Sequence, residues 1–109
     1  MRRPHSYSAP ARDALAVLGF EIARARRERR WTAAELAERA GVSPTTLRKV
    51  EHGEPTVAIG IVFEVATLVG LPLFGADADE LASLRVRSRE RLALLPERIR
   101  PTEPVDDDF

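Results

Sequence analysis

The 109-residue sequence contains no cysteine, which excludes disulfides, thiolate metal sites and cysteine nucleophiles. Its two histidines, His5 and His52, lie in different regions and assemble no metal set. No glycine-rich phosphate loop follows a strand, and no histidine–carboxylate arrangement is present to activate a serine or threonine. Neither a catalytic residue nor a cofactor is therefore expected. Long hydrophobic runs are missing too, since nothing approaches the roughly 18–20 apolar residues that a membrane span needs. The start, Met1-Arg2-Arg3-Pro4-His5-Ser6, leads into no apolar stretch with a cleavage site, so no signal peptide is read and the cytoplasm is the expected compartment. No strand pattern runs beyond about three or four residues, and the expected fold is all-α.

What is present suits one domain with one core: the length is typical of a single domain, and 44% of the residues are apolar and 31% charged. The net charge of zero hides a division. Residues 1–53 hold 11 Arg/Lys against 6 Asp/Glu, and residues 54–109 hold 6 against 11. A basic half beside an acidic half suggests two jobs, with a polyanion as one candidate partner for the first.

Residues 1–9 carry no apolar period and read as a flexible basic arm. Ser8 and Pro10 suit a helix start, and Leu15, Leu18, Ile22 and Ala25 then recur at helical spacing. That helix ends among Arg24, Arg26, Arg27, Arg29 and Arg30, opposed only by Glu28, and arginines there complement the helix dipole. Thr32-Ala33-Ala34-Glu35 is a capping box opening a short helix to Ala40, and Gly41 permits a left-handed stop. Ser43 and Pro44 open a further helix to about His52, followed by Gly53 and a turn around Pro55. Residues 57–74 are nearly all apolar and predict a buried helix from about Ile59 to Leu68. Asp77, Asp79 and Glu80 start a final helix, 77–95, with negative charge at its positive end. Its Leu81, Leu84, Leu92 and Leu95 fall on one side with Ser88 between them, and Pro96 ends it. The Pro/Asp-rich tail, 96–109, is expected to be disordered in isolation. The domain is expected to run over 10–76.

Over 33–52, two short helices joined by a glycine-containing turn make a helix-turn-helix arrangement. Ala37 is small where the helices cross, and Leu36, Val42, Leu47 and Val50 point inward. Ser43, Pro44, Thr45, Arg48 and Lys49 are left facing out. The run Leu18-Gly19, Ile22, Arg26, Trp31-Thr32, Glu35-Leu36-Ala37, Ala40-Gly41-Val42-Ser43, Leu47 and Val50-Glu51-His52-Gly53 resembles the Xre/phage-repressor family of DNA-binding domains over about residues 18–74. That resemblance implies a five-helix domain whose second short helix enters the DNA major groove, where base pairs present distinguishable donors and acceptors. Pro55 to Gly60, Glu64-Val65-Ala66, Gly70 to Gly75, Leu92 to Pro96 and the Val105-Asp106-Asp107-Asp108-Phe109 end further resemble HipB-type antitoxins. These dimerise, bind operator DNA and hold a HipA-type kinase toxin inactive, which places such a protein on the DNA of the bacterial nucleoid.

The resemblance implies that Pro44, Thr45, Arg48 and Lys49 face base edges. Threonine can pair with any base and offers a methyl to thymine, while Arg and Lys prefer guanine. The family often has glutamine where this chain has Ala33, so readout from that position is lost or moved. Arg29, Arg30, Thr32, Ser43 and Thr46, at or near helix ends, are placed at the DNA backbone as phosphate contacts; the arginines fit equally well as a solvated, dipole-complementing face. Arg2 and Arg3 read either as a minor-groove arm or as a soluble terminus. Arg26 and Glu51 correspond to a structural ion pair in the family. Trp31 occupies a position of packed aliphatic residues and is expected in the core.

The apolar excess of 57–74 and the leucine side of 81–95 predict a homodimer, which would present two recognition helices about 34 Å apart to a palindromic operator on double-stranded DNA. Asp106, Asp107, Asp108 and Phe109 read either as a solvated end that deters non-specific DNA binding or as an anchor for the toxin. Two other functions remain open at this point: a stand-alone repressor, and an interaction module that binds no DNA.

Overall fold

The computed structural model describes residues 6–101. The expectations for Arg2, Arg3 and the Asp106–Phe109 anchor lie outside them. Among the described residues there are five α-helices, α1 (Ala9–Glu28), α2 (Ala33–Ala40), α3 (Pro44–Glu51), α4 (Ile59–Leu68) and α5 (Ala78–Ala93), and no β-strand. No helix there is long and apolar enough to cross a membrane.

Helix boundaries follow from local chemistry. Ser8 caps α1, its Oγ accepting from the Ala11 N–H at 3.4 Å, so Ala9 is already helical although it falls within the arm expected over 1–9. The helix stops at Glu28, short of the last arginines, and Arg30 turns left-handed with φ of 60°. The Trp31 N–H then reaches back to the Arg26 carbonyl at 3.1 Å. α2 has its capping box in full: the Glu35 N–H donates to Thr32 Oγ1 at 3.0 Å and the Thr32 N–H to Glu35 Oε1 at 2.7 Å. The backbone N–H of Thr32 holds the Glu35 carboxyl below its ordinary range because it bonds the charged form. Gly41, at φ 70°, ends the helix, and the Val42 N–H closes onto the Ala37 carbonyl.

The chain divides after Gly75 into two units. In the first, Ile22 and Ala25 of α1, Leu36 and Ala37 of α2, Leu47 and Val50 of α3, and Val65 and Ala66 of α4 form the core with Val69. Fully burying a leucine or isoleucine contributes roughly 1.5–3 kcal/mol, so the five large side chains that are wholly covered, Ile22, Leu36, Leu47, Val65 and Val69, dominate its stability. Val42 is half-buried against this cluster. α1 and α3 cross at Gly19, where a β-carbon would lie 2.4 Å from the Glu51 carbonyl oxygen.

Two expectations need correction. α4 is not buried all round: only Val65 and Ala66 are fully buried, Ile61, Val62 and Leu68 are half-buried against the core, and Ile59 is 69% exposed. A short helix beside a small core has one face to bury, and composition does not say how many faces are covered. Trp31 is only half-buried; one side packs on the core and its ring carries the Arg39 guanidinium 4.2 Å from the centroid.

In the second unit, Asp77 and Glu80 form another capping box for α5, with both bonds at 2.8 Å. Leu94 closes the helix at its C-terminus, one residue before Leu95. No residue of α5 is buried.

Candidate nucleic-acid interface

The face of α3 that does not serve the core is the one with chemistry to offer. Leu47 and Val50 are buried, while Pro44, Thr45, Arg48 and Lys49 are exposed. The side chains of Thr45, Arg48 and Lys49 make no hydrogen bond or ion pair with another described residue, so the chain itself does not occupy them. A helix of this width fits the major groove, and these side chains carry donors suited to base edges.

The start of α3 is locally fixed. Ser43 Oγ accepts from the Thr46 N–H at 3.0 Å and donates to Thr46 Oγ1 at the same distance. The hydroxyl proton of Ser43 is therefore committed within the chain, and Thr46 is half-buried. Thr32 is likewise engaged at the start of α2, its Oγ1 accepting from the Glu35 N–H and its side chain helping to keep the Glu35 carboxyl ionised.

The arginines at the end of α1 separate into three roles. Arg26 is buried and binds Glu51 with two parallel bonds, Nε to Oε2 at 2.7 Å and Nη2 to Oε1 at 3.0 Å. Its Nη1 also donates to the Trp31 carbonyl at 3.0 Å, so one guanidinium ties the end of α1 to the end of α3 and to the turn leading into α2. The bond to Glu51 raises the Arg26 pKa above its ordinary value, against the opposing effect of burial. Each side chain is only 11% exposed, so removing either partner leaves a charge poorly solvated. Arg29 is drawn sideways: its guanidinium stands 5.7 Å from the Trp31 ring centre, and its Nη2 lies 2.6 Å from where a β-carbon on Gly70 would be. It sits by the carbonyl end of α4, where a cation complements the helix dipole. Arg30 is exposed, and its side chain has no partner among the described residues.

Sequence reasoning misses Arg39. Its one signal is its spacing, four residues after Glu35 on the same helix, whose carboxyl it also helps to keep ionised. Stacked on Trp31, it completes an arginine–aromatic cluster beside the α1–α2 turn. Arg24 has a different fate, bound to Glu21 at 2.6 Å and Glu28 at 2.8 Å along α1; these bonds raise its pKa above the ordinary value. No group of three or more His, Asp or Glu that could hold a metal occurs among the described residues.

Residues 22–75 match the helix-turn-helix family. No curated protein and no solved structure matches the chain.

Proposed function

We propose, from the premise that residues 22–75 are a helix-turn-helix domain of the kind found in DNA-binding transcription regulators, that this chain reads a palindromic operator as a homodimer. The observation that carries the reading is the outward face of α3, where Thr45, Arg48 and Lys49 stand exposed and unpartnered among the described residues while Leu47 and Val50 hold the helix in the core. In this reading Pro44, Thr45, Arg48 and Lys49 meet base edges. Arg30 and Thr32 meet phosphates, with Ser43 and Thr46 serving the backbone contact through the helix start they fix. The ion pair of Arg26 and Glu51 sets the angle at which α3 is presented.

The proposal extends to biology. The likeness of residues 55–60, 64–66, 70–75, 92–96 and 105–109 to HipB-type antitoxins supports a cytoplasmic antitoxin that represses its own operon and neutralises a HipA-like kinase. In that role Asp106, Asp107, Asp108 and Phe109 anchor the kinase.

Binding sites selected from a random duplex pool test the DNA reading. A palindrome should emerge, and Thr45→Ala and Lys49→Ala should each lose about 1–3 kcal/mol at particular base pairs. Uniform weakening across sequences would make these residues phosphate contacts, and failure to enrich any sequence would remove the reading. Purification from the native cytoplasm tests the antitoxin role: a stoichiometric kinase is expected, held less tightly when 101–109 are deleted. Recovery of the chain alone would leave a stand-alone repressor.

A further inference from the structure

α5 carries a pattern that the DNA-reading domain does not use. From Leu81 to Leu95 the sequence is partly palindromic about Ser88. Leu81 and Leu95 lie seven residues either side of it, Leu84 and Leu92 four, Arg85 and Arg91 three, and Arg87 and Arg89 one. Four of the seven mirrored pairs are therefore identical, and they include every residue of the leucine stripe. Offsets of four and seven place those leucines on one face with Ser88 at its middle. Leu95 stays on that face just past the helix end, because its N–H donates to the Leu92 carbonyl at 3.0 Å. Leu92 and Leu95 are 69% and 64% exposed, and Leu81 and Leu84 are half-buried.

A contact between two copies related by a two-fold axis must be self-complementary, with residue i meeting j and j meeting i. When two identical helices cross antiparallel, each residue meets the one at the mirrored position. Most leucine stripes would then set some leucines against polar residues. This one does not: centred on Ser88, Leu81 meets Leu95 of the other copy, Leu84 meets Leu92, and the small Ser88 meets itself where the helices are closest. We infer that α5 is the site at which a second copy of this chain docks, antiparallel, with the two-fold axis passing at Ser88. The inference rests on the homodimer proposed above and specifies its face and register.

The absence of cysteine makes the test direct, because one introduced thiol is the only thiol in the chain. Ser88→Cys places it on the axis. Val86→Cys is the control: Val86 is 51% exposed and lies away from the stripe, yet it stands between Arg85 and Arg87 as Ser88 stands between Arg87 and Arg89, so neighbouring cations lower both thiol pKa values alike. Under mild oxidant the full-length Ser88→Cys protein should form a disulfide-linked dimer roughly tenfold faster or more than Val86→Cys, since docking raises the effective thiol concentration. Leu84→Cys mixed with Leu92→Cys should give the mixed dimer above either like pair. Equal rates for Ser88→Cys and Val86→Cys would overturn the inference. Sedimentation of the parent chain then distinguishes the two failures. A dimer without preferential cross-linking would place the contact elsewhere and leave the operator reading intact, whereas a monomer that stays monomeric on selected DNA would remove the dimer itself.

Discussion

Arg30 follows α1 at φ 60°, in the left-handed region where a β-carbon costs roughly 1–2 kcal/mol. Glycine would remove that cost but would lose about 0.5–1 kcal/mol through the greater freedom of its unfolded chain. Arg30→Gly is thus expected to leave stability unchanged or raise it by up to about 1.5 kcal/mol. DNA affinity should move the other way, with the slope of log affinity against log salt falling by about 0.9 for each lost phosphate contact. Melting curves and salt titrations of the same variant check both halves. If Arg30→Gly binds DNA with the parent's affinity and slope, the exposed guanidinium is solvated and contacts no phosphate. Arg29 is its neighbour in sequence, but only Arg29 lies over Gly70 and beside Trp31. Sequence identifies a basic cluster here, but not which member folds back on the protein.

Among the glycines, the closest approach is at Gly19, in the α1–α3 crossing. A β-carbon on Gly19 would meet the Glu51 carbonyl oxygen at 2.4 Å and the Val50 carbonyl oxygen at 2.9 Å, and backbone cannot swing aside as a side chain can. Gly19→Ala should therefore displace α3, at a cost of about 1–3 kcal/mol or more, and weaken DNA binding if α3 reads DNA as proposed above. Gly60 is also helical, but a β-carbon there would have nothing within 4 Å, so Gly60→Ala should stabilise by about 0.4–1 kcal/mol. Thermal unfolding of both variants decides whether opposite signs follow from the same chemical change. The extents of α2 and α3 were legible because their signals are local: Thr32 with Glu35, Ser43 with Pro44, and Gly41 act within a few residues. Gly19 was legible as part of the resemblance but not as a contact, since its neighbour is 32 residues away in sequence. The cover on α4 and the arginine on Trp31 were hidden for a related reason. Both depend on how many elements reach a surface, and periodicity reports only that the surface is apolar.

At the scale of the whole molecule, charge and self-association act on different halves. The 11 Arg/Lys of residues 1–53 against 6 Asp/Glu make the half that contains α1 to α3 net positive despite a net charge of zero, while residues 54–109 are net negative, and such a division suits a polyanion at the first half only. If each copy neutralises about three phosphates, a dimer makes about six, and its affinity should fall by roughly 10³ between 50 and 200 mM salt. Docking through α5 has the opposite electrostatic sign. The register that sets leucine against leucine also brings Arg85, Arg87, Arg89 and Arg91 near their counterparts, with Glu90 the only acidic residue among them. Screening, with a Debye length shrinking from about 10 Å at 0.1 M to about 3 Å at 1 M, relieves that repulsion and leaves the apolar contact in place. Salt titration of sedimentation and of DNA binding should therefore give curves of opposite slope, with the dimer strengthening as the operator is released. If both fell together, ion pairs rather than the α5 leucines would be holding the dimer, and the acidic first turn of that helix would be the place to look for them.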